Sequence, residues 1–213
     1  INNFGAGFRI ALRDLELRGA GNLLGSEQSG HVAGIGFELY CRLLRESVSR
    51  LKGEELSLRP SAIVRIDFLT AGEPTKEESE ENNMLMGSYF PDSYASEPRL
   101  RIDSYRKLAQ FQDEKDVNDY LDELKDRFGV PPDEVIALTE ETKIRCLAEE
   151  AGFDLVEVRK NELYCRLIKR GKDKTKLYHR KAGQIPKLSA KDPLLKLNEI
   201  IRVLKLIIHG NKN

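Results

Sequence analysis

The chain has no tryptophan, and aromatic side chains make up only 7% of its 213 residues. It holds three cysteines and three histidines, and its 35 basic side chains are matched by 35 acidic ones. Each scarcity excludes something. Cys41, Cys146 and Cys165 are odd in number, far apart and never in a CxxC pair, which fits reduced thiols and argues against a disulfide scaffold and a zinc site. His31, His179 and His209 are too dispersed for a metal site or a catalytic triad. No apolar run reaches the roughly 18 residues of a membrane span, and the N-terminus lacks the basic-then-apolar layout of a secretory signal. No glycine-rich turn ends in Gly-Lys-Ser/Thr, so a P-loop is absent. The nearest string, Gly19-Ala20-Gly21-Asn22-Leu23-Leu24-Gly25, sets its last glycine one residue too far for a dinucleotide fingerprint and follows a helix instead of a strand. Ser49 and Lys52 match SxxK only by short spacing on a surface helix. By itself the chain reads as non-catalytic.

Apolar residues reach 40%, enough to build a core, and charged residues reach 33%, above the roughly 25% usual in globular domains. These values fit a soluble, cytosolic-type chain of one or two domains. It begins at Ile1 and not at Met, which reads as a piece of a longer protein. The zero net charge hides an asymmetry. Residues 97–150 carry 15 acidic against 9 basic side chains, whereas residues 157–187 carry 11 basic against 3 acidic. Partners respond to such local fields, so the overall balance is uninformative.

Phe8, Ala11, Leu12 and Leu15 share one helical face, and Gly19 and Gly21 stop that helix near Arg18. Residues 19–30 hold four glycines among polar side chains and predict an exposed loop. Phe37, Tyr40, Leu44, Val48 and Leu51 then recur at helical spacing up to Gly53. Beyond it, Val64, Ile66 and Phe68 alternate with charged residues as a half-buried strand does, and the acidic stretch 73–81 reads as a solvated connection. Helices are predicted over 97–112, 116–128 and 133–151, the last two ended by Gly129 and Gly152. Residues 154–169 predict a hairpin turning at Lys160–Asn161, and residues 192–208 a final helix. Residues 170–192 match no pattern. The expected fold class is α+β: an N-terminal helical hairpin with a Gly-rich loop over 1–53, then a helix-rich domain over 54–213 with a small antiparallel sheet.

Residues 5–44, GAGFRIALRDLELRGAGNLLGSEQSGHVAGIGFELYCRLL, resemble the segment that follows the second motor domain in transcription-repair coupling factors and, more distantly, in RecG-type DNA translocases. In those families this is the TRG translocation motif, a helical hairpin with a loop. The resemblance makes Arg18 the counterpart of the functional hairpin arginine and Gln28 that of the loop glutamine, together coupling ATP-driven motor motion to stepping on double-stranded DNA. The rigid donor fork of an arginine at a helix end and a loop glutamine that both donates and accepts suit such a linkage. Simple helix-end and solvated-loop roles explain the same residues locally, as solvation explains Arg9 and Arg13.

The resemblance continues to the end of the coupling factor. Arg101 with Ile102-Asp103-Ser104-Tyr105-Arg106-Lys107-Leu108 resembles its RLxxYKRL-type helix, and Asp126-Arg127-Phe128-Gly129 with Pro131-Pro132 resembles its DRFG-x-x-P element. RecG-like translocases end soon after the hairpin and leave residues 54–213 without an explanation. What the resemblance implies is a C-terminal fragment of an ATP-dependent DNA translocase that displaces stalled RNA polymerase and recruits UvrA. It places ATP and Mg in motor domains upstream, with no cofactor in this fragment, and it implies a cytoplasmic protein.

It also makes Glu123 and Asp126 the acidic residues that contact the UvrA-binding module of the same chain and mask it. Asp119, Asp122, Glu123 and Asp126 do form an acidic stripe, separate from an apolar one of Val117, Leu121, Leu124 and Phe128. A local Glu123–Arg127 pair at i, i+4 is equally available. A competing reading makes the basic region 157–187, with Tyr164 and Tyr178 to stack, a freestanding nucleic-acid-binding module. If the hairpin reading holds, Arg18→Ala or Gln28→Ala in the longer protein abolishes DNA translocation while ATP hydrolysis continues; normal translocation, assayed beside phosphate release, refutes both assignments.

Overall fold

In the computed structural model, residues 62–76, 85–167, 176–178 and 186–211 are described. The hairpin and glycine loop expected before residue 54, with Arg18, Gln28 and the boundary at 53, lie outside the described residues. The elements run β1 (Ile63–Ile66), β2 (Leu69–Thr70), β3 (Met86–Gly87), α1 (Pro98–Gln110), α2 (Glu114–Phe128), α3 (Asp133–Ala151), β4 (Phe153–Arg159), β5 (Glu162–Leu167), β6 (Lys176–Tyr178) and α4 (Pro193–Asn211). This is an α+β chain, as its patterning predicts.

The four-stranded sheet has the order β1-β4-β5-β6 and is mixed, which corrects the expectation of an antiparallel one. β4, β5 and β6 are antiparallel neighbours, but β1 joins β4 in parallel, Val64 opposite Val156 and Ile66 opposite Val158. Alternation shows which face of a strand is buried and is silent on its direction. Direction is set by the return path: the chain leaves β1, passes through α1, α2 and α3 and re-enters the sheet from α3, a crossover that makes parallel strands. Gly152 makes the re-entry possible. At φ 79° it occupies the left-handed region that ends a helix, and β4 starts at the next residue.

The β4–β5 hairpin turns at Lys160 and Asn161 as expected, with φ 50° and 64°. Two positive φ values in a two-residue loop match the twist of the flanking strands. Asp67 accepts a 2.6 Å hydrogen bond from the Lys160 amide and so pins the turn to the end of β1. On the inner face Val156, Val158, Leu163 and Cys165 are buried; the outer face carries Glu157, Arg159, Glu162, Tyr164 and Arg166 together with Leu155. β6 falls within the stretch that the sequence left unassigned.

α3 is the centre of the packing. One of its sides supplies Ala137, Ile144, Leu147 and Ala148 to a core shared with the sheet and with Leu197, Ile200 and Leu204 of α4. Another supplies Val135 and Leu138 to a second core with Phe90, Tyr105 and Leu108, closed by Tyr120 and Leu124 of α2. Its buried polar groups are satisfied locally: Lys143 meets Glu140 at 2.6 Å, and the Thr142 hydroxyl donates to the Leu138 carbonyl at 2.8 Å. Arg145 reaches across to the carbonyls of Leu108 and Phe111, at 3.1 and 2.9 Å, and holds the C-terminus of α1 against α3.

Gly87 marks a close approach of a different kind. A Cβ there would lie 2.6 Å from the Gly72 carbonyl and 2.6 Å from the Tyr89 ring, so the β2–β3 pairing requires a bare backbone.

α4 offers an internal comparison of burial. Leu204 is fully buried and Leu206, two residues on, is 58% exposed. Leu204→Ala should destabilise the chain by about 2–5 kcal/mol in urea unfolding, and Leu206→Ala by well under 1 kcal/mol. Equal losses would refute this assignment of the core.

Candidate functional site

α2 is built to present one charged face. Asp113 caps its start, accepting from the Asp116 amide at 2.9 Å, so the helix begins two residues before the predicted start. Glu114 and Asp116 lie in its first turn, and Lys125 and Arg127 in its last, each complementing the helix dipole. Val117, Tyr120 and Leu124 are buried, with Leu121 and Phe128 half-buried beside them. Asp119, Asp122 and Asp126 are therefore exposed, and Glu123 is half-exposed at the edge of the stripe.

Two aromatic contacts fix the helix in place. Phe111 and Tyr120 pack at 5.5 Å between ring centroids, and Tyr94 and Phe128 at 5.7 Å. The Tyr94 hydroxyl also lies 3.1 Å from the carbonyl oxygens of both Leu124 and Gly129. The C-terminus of α2 is thus tied to the loop before α1.

The structure separates the two predicted interface residues. Glu123 is engaged within the chain: Lys107 of α1 forms a hydrogen-bonded ion pair with it, and Arg127 approaches it at 3.5 Å. The Lys107 hydrogen bond, ahead of the other influences, holds the Glu123 carboxyl below its usual range. Lys107 is itself positioned 4.4 Å from the centre of the Tyr120 ring. Asp122 pairs with Lys125 at 2.8 Å. Asp126, one turn from Glu123, is exposed and has no ion pair among the described residues.

Sequence reasoning found the Glu123–Arg127 pair and missed Lys107 and Tyr120. Lys107 is 16 residues from Glu123, and only the packing of α1 on α2 makes them neighbours. Tyr120 had a signal, since it lies three and four residues from Val117 and Leu124 on the buried stripe. The motif around Arg101 and Tyr105 is buried scaffolding. Arg101 donates to the Ala95 and Ser96 carbonyls at 2.6 and 3.1 Å, and the Tyr105 hydroxyl accepts from the Phe90 amide at 3.0 Å.

Several cations of the basic region are already matched. Arg166 lies 2.9 Å from Asp154, Arg159 2.8 Å from Glu157 and Lys187 3.2 Å from Glu162. Tyr164 donates to Glu162 at 2.6 Å, which occupies the hydroxyl of one proposed stacking residue. Residues 168–175 and 179–185 lie outside the described ones. Burial pushes the Cys165 thiol up to about 12 and leaves it an unreactive packing group.

Among the described residues no three His, Cys, Asp or Glu side chains are grouped as metal ligands, and no helix is long and apolar enough to cross a membrane. What the geometry offers is a packed α+β domain with a charged helix face. Residues 85–178 match the family described as the TRCF domain, and the chain belongs to the transcription-repair coupling factor family. It is 38% identical over 152 residues to the transcription-repair-coupling factor of Mycobacterium bovis, an alignment covering 71% of this chain and 12% of that protein. With the factor of Myxococcus xanthus it shares 39% over 142 residues, covering 66% of this chain and 10% of the other. The chain thus spans about an eighth or less of the relatives it matches. The crystal structure of the C-terminal domain of a transcription-repair coupling factor superposes with a TM-score of 0.46 at 20% identity, over 71% of this chain and 98% of that one.

Because its folded-state pKa is depressed, Glu123 contributes stability that is fully present above the ordinary carboxylate range near pH 4.5 and is lost as the pH falls below it. Glu123→Gln should flatten the acid limb of the stability curve. Identical acid limbs for wild type and Glu123→Gln would refute the pairing.

Proposed function

We propose that this chain is the regulatory C-terminal part of an ATP-dependent DNA translocase that displaces stalled RNA polymerase and recruits UvrA-dependent excision repair. In this reading, residues 1–53 couple ATP hydrolysis in upstream motor domains to movement on double-stranded DNA, through Arg18 and Gln28. The domain containing α2 docks by its acidic face on the UvrA-binding module of the same polypeptide and masks it. The observation that supports docking is the exposed carboxylate of Asp126, without an ion pair among the described residues, on a helix fixed by aromatic packing.

The division of labour between the two acids follows from their surroundings. Glu123 keeps Lys107 and Arg127 in place at the rim, while Asp126 is available to a cation from outside. An exposed ion pair is worth only about 0–1 kcal/mol, so the acidic face selects its partner and sets register more than it supplies affinity. Phosphate is disfavoured by that face. The basic region 157–187 remains the competing nucleic-acid surface, with Arg159, Arg166 and Lys187 each held by a carboxylate.

Charge reversal decides the matter. Glu123→Arg together with Asp126→Arg in the longer protein should raise UvrA affinity by about tenfold or more, through like-charge repulsion across the dock. UvrA binding equal to wild type would remove the masking role, and salt-sensitive duplex binding by the separate fragment would favour the nucleic-acid reading instead.

A further inference from the structure

Immediately after α2 the chain exposes a large apolar side chain that neither core uses. Val130 is 91% exposed, although valine is among the residues most often buried. Its backbone is firmly held on both sides. Gly129 before it takes φ 85° and donates to the Lys125 carbonyl at 2.9 Å. Pro131 and Pro132 after it have φ fixed by their rings, Pro131 is buried, and the Pro132 carbonyl accepts from the Val135 and Ile136 amides at 3.0 and 3.1 Å. The Tyr94 hydroxyl, 3.1 Å from the Gly129 carbonyl, braces the same turn from the α1 side. The valine is therefore presented at a fixed position, and little ordering remains to be done when it is covered.

The chemistry beside it defines what can cover it. Carbonyls of the last turn of a helix lack partners within the helix, and the dipole is negative there. Asp126, exposed and without an ion pair among the described residues, adds a carboxylate one turn back. Carbonyl oxygens next to a carboxylate suit the planar, multi-donor guanidinium better than a lysine ammonium, and they repel a nucleic-acid phosphate.

We propose that the Gly129–Pro132 turn is the apolar anchor of the α2 docking surface, Val130 entering a hollow on an arginine-bearing protein surface whose guanidinium engages Asp126 near the C-terminal end of α2. The inference rests on the masking role proposed above and adds to it a second, uncharged determinant. A buried apolar contact ringed by charged pairs supplies the affinity that exposed ion pairs do not.

Three variants of the longer protein test it by UvrA titration and thermal unfolding. Val130→Ser should raise UvrA affinity about tenfold at an unchanged thermal midpoint, and Val130→Ile should stay close to wild type. If Asp126→Arg raises UvrA affinity and Val130→Ser does not, the anchor is overturned and the charged contact stands. If neither variant changes it, the masking role falls as well. A marked fall in the thermal midpoint of Val130→Ser would make the valine a folding residue and also overturn the anchor.

Discussion

Burial of α3 on nearly every side is the constraint on which the rest of the chain depends. Ile144 and Leu147 face the sheet and α4, Val135 and Leu138 face the helical core, and neither core closes without it. A helix so enclosed must satisfy its polar side chains internally, which is what the Lys143–Glu140 pair and the Thr142 back-bond to Leu138 accomplish. Arg145 extends the same logic outward by closing the end of α1. Loss of any one of these contacts would strand a buried donor or acceptor, a costlier event than loss of an exposed pair.

The acidic face inherits its rigidity from that arrangement. α1 and α2 both rest on α3, the Phe111–Tyr120 pair joins them, and Lys107 is carried into reach of Glu123. A charged surface on a fixed helix pre-organises recognition in a way that the same charges on a loop do not. The outer face of the β4–β5 hairpin differs in character. There Arg166–Asp154, Arg159–Glu157 and Lys187–Glu162 are cross-strand or neighbouring pairs, so these three cations of the basic run are matched by carboxylates once folded.

The transcription-repair coupling factors that the chain matches are much longer than it is. The domain has a packed interior, an unreactive thiol at Cys165 and charge concentrated on an outer helix.

The sequence by itself determined the elements that depend on local signals. Gly129 and Gly152 stopped their helices where predicted, α3 has both predicted ends, and Lys160–Asn161 made the hairpin turn, because caps, turns and apolar periodicity act over a few residues. The Glu123–Arg127 pair was legible for the same reason. Tertiary structure alone decided the parallel pairing of β1 with β4, the capture of Glu123 by Lys107, the tying of Tyr94 to the end of α2 and the matching of Arg166 by Asp154. Those outcomes join residues 12 to about 90 positions apart. Whether two such groups meet is settled by how helices and sheet share a core, and no spacing along the chain encodes that distance.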